Sequence, residues 1–197
     1  MSKSFRIAVF ASGSGSNFQA IADAVNAGRL DVHIGLLVCD RPKAQVVERA
    51  NKLGIPTFVF RAKDYASREQ YEREIVQRLE EEQIDLVVMA GYMRLITSVL
   101  VEPWYGRLIN VHPSLLPAFP GLDAIKQALN YGVKVTGVTV HYVDGGMDTG
   151  PIIAQQSLDI TPEDTEESLA ARIHPIEHVL LPQVIAQIAA GSIKLNP

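Results

Sequence analysis

Four strand-length runs rich in apolar residues constrain the fold of this 197-residue chain more than anything else in it: residues 7–11, residues 32–39, Leu86–Met89 and residues 108–111, interrupted only by His33, Gly35 and Asn110. A strand with one wet face alternates apolar with polar, whereas a strand covered on both faces by helices reads as a continuous apolar run. Residues 57–60 add a shorter strand. Helical patterns lie between the strands. Residues 17–27 place Phe18, Ile21, Ala22 and Val25 on one face and stop at Gly28. A second helix carries Val46, Val47 and Ala50 and ends at Gly54. Ser67, with Gln70 three residues on, forms a capping-box signature ahead of the stripe Tyr71, Ile75, Leu79. This strand–helix rhythm predicts an α/β fold: a doubly wound, Rossmann-like, mostly parallel sheet with helices on both faces. The last third differs. Residues 133–143 and 152–158 alternate in polarity and flank a glycine-rich connection, which predicts an antiparallel C-terminal strand pair. A terminal helix is expected from about 165 to 190, bent near Pro175 and Pro182.

With 47% hydrophobic and 20% charged residues, the chain can fill one core, and residues 1–197 are expected to form a single domain. Its net charge of −4 argues against a general nucleic-acid binder. No apolar stretch reaches the ~18 residues that span a bilayer. The single Cys39 has no partner for an internal disulfide and is expected to be a small buried hydrophobe. The start, Met1-Ser2-Lys3-Ser4 and then a strand, is unlike a secretory leader, so a cytoplasmic protein without membrane or nucleic-acid partners is expected.

Ligands of doubly wound sheets sit beyond the carboxyl ends of the strands. Three loops fall there: 12–17, 91–94 and 110–117. The first, Ser12-Gly13-Ser14-Gly15-Ser16-Asn17, lets backbone N–H groups at a helix start approach an anion. In the structural alternative, Asn17 or Ser16 simply caps the helix. A dinucleotide site fits less well, because Phe18 occupies the position of its third glycine. No Gly-Lys-Ser/Thr follows either, so this is not a P-loop. One phosphate suits the loop better than a pyrophosphate.

Asn110 and His112 are one residue apart at a strand end and project to the same side in extended geometry. The segment Val143-Asp144-Gly145-Gly146-Met147-Asp148-Thr149-Gly150-Pro151 brings a carboxylate out of a glycine-rich turn. Asn, His and Asp together can donate to an oxyanion and move a proton, and a carboxylate beside His112 favours the imidazolium. That set suits acyl transfer without a covalent intermediate. Taken singly, a His before Pro is ordinary loop chemistry, and an Asp in such a turn ordinarily binds its own backbone.

Asn110-x-His112-Pro113-Ser114-Leu115-Leu116-Pro117, with Gly137-Val138-Thr139-Val140 leading to Asp148-x-Gly150-Pro151, resembles the folate-dependent formyltransferases. Residues 11–20, Ala-Ser-Gly-Ser-Gly-Ser-Asn-Phe-Gln-Ala, narrow the resemblance to the branch that formylates glycinamide ribonucleotide in purine biosynthesis. The likeness runs from the first strand into the last helix; Phe18 stands where the family often has Leu. It implies that Asn110, His112 and Asp148 are catalytic and that Gly15, Ser16 and Asn17 hold the substrate phosphate. It places Pro113 and Glu177 on the same substrate. It gives Met93, Arg94, Leu95, Ile96 and Asn110, with Arg68, to 10-formyltetrahydrofolate, a cosubstrate rather than a tightly bound cofactor. A cis Leu116–Pro117 bond and a monomer or homodimer are also compatible with it.

Two relatives of the same chemistry, methionyl-tRNA formyltransferase and formyltetrahydrofolate hydrolase, share the Asn/His/Asp set. The first is expected to carry a C-terminal tRNA domain and the second an N-terminal regulatory one, neither expected in an acidic chain of 197 residues. No metal is expected. His174 and His178 flank Glu177, but Pro175 intervenes and the order is wrong for a zinc helix. Trp104 and Tyr105 are read as packing residues and Glu80-Glu81-Glu82 as a solvated helix end, while His33 and His141 receive no role.

Overall fold

The computed structural model describes residues 4–195. Met1–Lys3 and residues 196–197, counted above in the one domain, lie outside the described residues. Strands β1 (Arg6–Phe10), β2 (His33–Cys39), β3 (Thr57–Val59), β4 (Leu86–Met89), β5 (Leu108–His112), β6 (Val135–Tyr142) and β7 (Ile152–Asp159) form one sheet in the order β3-β2-β1-β4-β5-β6-β7. Pairs up to β5 are parallel; β5–β6 and β6–β7 are antiparallel. The helices are α1 (Ser16–Asn26), α2 (Gln45–Lys52), α3 (Arg68–Glu81), α4 (Ser98–Val101), α5 (Ala124–Tyr131) and α6 (Glu166–Ala189).

The apolar strands have a direct cause. Successive side chains of β1 point to opposite faces, and both faces are covered. Ile7 and Val9 pack with Phe18 of α1 and Leu181 of α6, while Ala8 and Phe10 pack with Tyr71, Ile75 and Leu79 of α3. Each large side chain so buried contributes roughly 1.5–3 kcal/mol. The antiparallel C-terminal pair is β6–β7, as the alternation predicts. Unforeseen was that β6 also runs antiparallel beside β5, which sets Asn110 opposite His141 and His112 opposite Thr139.

Local signals differ in detail. Ser67 caps α3 by accepting from the Gln70 N–H at 3.3 Å, but the Gln70 side chain accepts from Ala66 rather than from Ser67, so the predicted box closes one residue early. A full capping box stands instead on Thr165 and Ser168 at the start of α6. That helix runs through Pro175 and Pro182 as one element. Helices α4 and α5 went unread: α4 is four residues long, and the short stripe Ala124, Ile125, Ala128, Leu129 of α5 was passed over. Tyr105 is exposed rather than packed, and Glu82 is held by Arg6 at 3.2 Å rather than left free in solvent.

Candidate active site

From β1 the chain winds outward to β2 and β3 on one side, then crosses to β4 and β5 on the other. Connections diverge at that switch point, so a crevice opens between the carboxyl ends of β1 and β4. Across it the Ser12 N–H donates to the Gly91 carbonyl at 3.0 Å. The glycine-rich loop lies on one side and residues 91–97 on the other.

Gly15, not Ser16 or Asn17, is the N-cap of α1, with a left-handed φ of 73° and no side-chain cap. A Cβ there would stand 2.4 Å from Val46 Cγ2, so α2 approaches too closely for any larger residue. No side chain caps the helix start, and N–H groups so placed are of the kind that can receive an anion. Asn17 turns elsewhere: its Nδ2 donates to Glu177 Oε2 at 3.1 Å, across from α6. Its buried Oδ1 has no hydrogen-bond partner among the described residues. Burial pushes the Glu177 carboxyl above its ordinary value, against the Asn17 hydrogen bond and the charge of His174. Gly15, Ser16, Asn17 and Glu177, the last 160 residues beyond Asn17, thus meet in one place.

Asn110, His112 and Asp148 also converge. Asp148 Oδ2 lies 3.5 Å from His112 Nδ1 and accepts from the Gly121 N–H at 2.8 Å; Oδ1 lies 3.4 Å from Asn110 Nδ2. His112 Nε2 is 2.8 Å from the Phe119 carbonyl. Both ring nitrogens of His112 thus face acceptors, a pattern that only the doubly protonated ring satisfies on both sides. The turn-forming task falls to Asp144, which accepts from the Gly146 N–H at 2.8 Å and the Thr149 hydroxyl at 2.7 Å. Asp148 is thereby released to point inward. Burial pushes its carboxyl up, but hydrogen bonds from His141 and Gly121 and the charges of His112 and His141 win, and its pKa lies below the ordinary 3.8.

His141 is the residue that sequence reasoning missed. Its Nε2 stands 3.5 Å from Asp148 Oδ1 and 3.2 Å from Asn110 Nδ2. Its Nδ1, 2.7 Å from the Tyr142 carbonyl, carries a hydrogen. The neutral ring can then accept from Asn110, and the charged ring can donate to Asp148. Only the β5–β6 register, which sets it opposite Asn110, reveals it.

Pro113, half-buried, begins a loop that Thr139 fastens. The Thr139 hydroxyl donates to the Ser114 carbonyl at 2.7 Å and accepts from the Leu116 N–H at 3.0 Å, and the Leu116–Pro117 bond is cis. On the far side of the crevice, Met93 and Leu95 are exposed and Ile96 half-buried. Arg94 donates to Asp40 Oδ2 at 2.7 Å; Asp40 Oδ1 accepts from Ser12 Oγ, which accepts in turn from the Met93 N–H at 2.9 Å. Buried Glu72 of α3 grips Thr97, taking its N–H at 2.9 and 3.1 Å and its hydroxyl at 2.5 Å. Arg68, exposed at the start of α3, shares with Arg94 an electrostatic influence on Tyr71. Among the described residues no group of three or more His, Cys, Asp or Glu side chains could hold a metal ion, and no helix is long and apolar enough to cross a membrane.

An amide, two imidazoles and a carboxylate gathered at the edge of a doubly wound sheet are groups that can donate to an oxyanion and move a proton, as a group-transfer enzyme requires. The chain belongs to the formyl transferase family, whose sequence profile matches residues 5–185. It is 51% identical over 183 residues to the phosphoribosylglycinamide formyltransferase of Bacillus subtilis, covering 93% of this chain and 94% of that one. It is 44% identical over 194 residues to the trifunctional purine biosynthetic protein adenosine-3 of Drosophila melanogaster, matching 98% of this chain but 14% of that protein. The crystal structure of glycinamide ribonucleotide transformylase 1 from Geobacillus kaustophilus superimposes with a TM-score of 0.93 at 55% identity, covering 95% of this chain and all (100%) of the other.

Proposed function

We propose that residues 1–197 act as one domain that moves the formyl group of 10-formyltetrahydrofolate onto the amine of glycinamide ribonucleotide, a step of purine biosynthesis. The observation that carries this reading is the Asp148 carboxylate 3.5 Å from His112, held among Asn110, His141 and Gly121. The substrate amine attacks the formyl carbon, and the carbonyl π electrons move onto oxygen to give a tetrahedral oxyanion. Asn110 and His112 donate to that oxygen; His112 exchanges its Phe119 contact for it. Losing one such donor typically costs ~10²–10³ in turnover. Asp148, ionised well into the acid range, orients His112 and accepts a proton from the attacking ammonium, through water. That proton passes to N10 of the folate as the C–N bond to it breaks, and tetrahydrofolate leaves.

The ribonucleotide phosphate sits on the N–H groups at Gly15, Ser16 and Asn17, with Glu177 and Pro113 on the rest of that substrate. Met93, Arg94, Leu95, Ile96 and Arg68 serve the folate, which enters as a cosubstrate. The protein works on small molecules in the cytoplasm, as a monomer or homodimer. The test is to supply 10-formyltetrahydrofolate with glycinamide ribonucleotide, with methionyl-tRNA, or with water alone, and to follow tetrahydrofolate. Strict dependence on the ribonucleotide is expected; turnover with tRNA or water alone would replace this reading by one of the other two folate chemistries.

A further inference from the structure

The glycine-rich loop is held from outside by α2. The Val46 N–H donates to the Gly13 carbonyl at 3.2 Å, and one turn on Arg49 Nε donates to the Ser14 carbonyl at 2.8 Å. A trans peptide unit is planar, with its N–H opposite its C=O. With these two carbonyls fastened to α2, the N–H groups of Ser14 and Gly15 are turned away from it. Gly13 and Gly15, on either side of Ser14, would otherwise let both peptide planes rotate. Arg49 also reaches the helix that the loop opens, its Nη1 donating to Gln19 Oε1 at 3.2 Å. That amide is itself oriented, since Gln19 Nε2 donates to Asp23 at 2.8 Å. Both of these guanidinium bonds go to neutral oxygens. Arg49 is half-buried, and among the described residues no carboxylate lies within ion-pair distance of it. A lone cation is unfavourable at the positive end of a helix, and a bound anion relieves both. In the first turn of α1 the buried Asn17 Oδ1 has no hydrogen-bond partner among the described residues, a cost that an N–H or O–H of a bound substrate removes.

We propose that Arg49 is a positioning residue for the phosphate of the ribonucleotide: through the Ser14 carbonyl it sets the direction of the Gly15 N–H, and its charge favours a phosphate over a neutral group at the start of α1. The proposal rests on the reading of Gly15, Ser16 and Asn17 as the holders of that phosphate. Arg49 then acts on substrate choice alone and leaves the reacting carbon and the folate side untouched. Part of its effect is a charge interaction in partly solvated surroundings, so it weakens with salt.

The test compares glycinamide ribonucleotide with its dephosphorylated riboside, by calorimetry at low ionic strength and with the weaker ligand measured by displacement, on the wild type, Arg49→Met and Arg49→Lys. Met keeps the apolar stem and loses both the donor and the charge, whereas Lys keeps both. The ribonucleotide is expected to lose roughly 5- to 30-fold in affinity in Arg49→Met and to stay within about threefold of the wild type in Arg49→Lys. Riboside affinity should stay within about twofold in both variants, which also shows that they are folded. A purely structural role would weaken the two ligands together and would not be rescued by charge. A phosphate preference that survives in Arg49→Met, an equal loss for both ligands, or a Lys variant as weak as the Met variant overturns the proposal. The two readings separate on the wild type. Equal affinities of the wild type for ribonucleotide and riboside refute the placement of the phosphate on the loop, and the role of Arg49 with it. A wild-type preference that Arg49→Met leaves intact refutes Arg49 alone.

Discussion

Asp148 holds a left-handed φ of 55°, a conformation that costs most side chains but that Asp and Asn tolerate. Asp148→Asn therefore keeps the backbone and removes only the charge. Turnover should fall by about 10²–10⁴, the usual worth of a positioned acid–base group. The folded carboxyl titrates below 3.8, so the charged form stabilises the fold above that range and the contribution fades as pH falls through the folded value. The Asp148→Asn variant should therefore melt roughly 3–12 °C below the wild type near neutrality, from a lost charged hydrogen bond of about 1.5–3 kcal/mol. The two curves should merge at acid pH. A gap that persists in acid would show that the charge is not its source. Gly15 poses a steric question instead. Gly15→Ala must hold φ near 73° while pushing Val46 aside, so the loop should deform, and KM for the ribonucleotide should rise at least about tenfold with little change for the folate. Steady-state kinetics with each substrate varied in turn decides it.

Single elements carry the site by what anchors them. The 91–97 segment has little regular structure, and its outer end is tied to α3 by one buried carboxylate, Glu72. An amide at that position offers one oxygen where the carboxylate uses two, and turns an NH₂ toward the Thr97 donors. Glu72→Gln should loosen the segment and raise KM for 10-formyltetrahydrofolate several-fold while leaving KM for the ribonucleotide and saturated turnover nearly unchanged. Equal effects on both substrates would place Glu72 in the stability of the core instead. Elements are also where sequence reading succeeded and stopped. Burial on two faces prints itself as apolar runs with few interruptions, so β1, β2, β4 and β5 were legible, and the Asn110/His112 pair follows from strand geometry. Strand register prints nothing. His141 sits among apolar neighbours in β6 and becomes a site residue only because β6 lies antiparallel to β5. The alternative in which Ser16 or Asn17 caps α1 fails for a related reason: both are ordinary capping residues, and only the approach of Val46 shows why Gly15 takes that place.

Across the whole molecule, the winding of the sheet holds apart the two places that the proposed reading gives to the two substrates. The glycine-rich loop follows β1 and leans on α6, whereas the 91–97 segment follows β4 and leans on α3; Asn110 and His112 stand in β5, and Asp148 reaches them from the turn between β6 and β7. Two ligands placed so share the carboxyl edge without sharing contacts other than Asn110 and its neighbours. Each should then stabilise the fold independently. A ligand present at about a hundred times its Kd adds about 2.7 kcal/mol, which for a chain of this length raises Tm by roughly 5–11 °C. Glycinamide ribonucleotide and a non-reactive folate analogue, each at that level, should give separate shifts of this size and a joint shift close to their sum. A joint shift no larger than the greater single one would mean that the ligands compete for one pocket, and the division between β1 and β4 would fail. A joint shift well above the sum would mean that one ligand orders groups the other needs. Asp148 and its contact with Gly121, linking the turn before β7 to the loop before α5, would then be the first place to look, and Asp148→Asn should restore additivity.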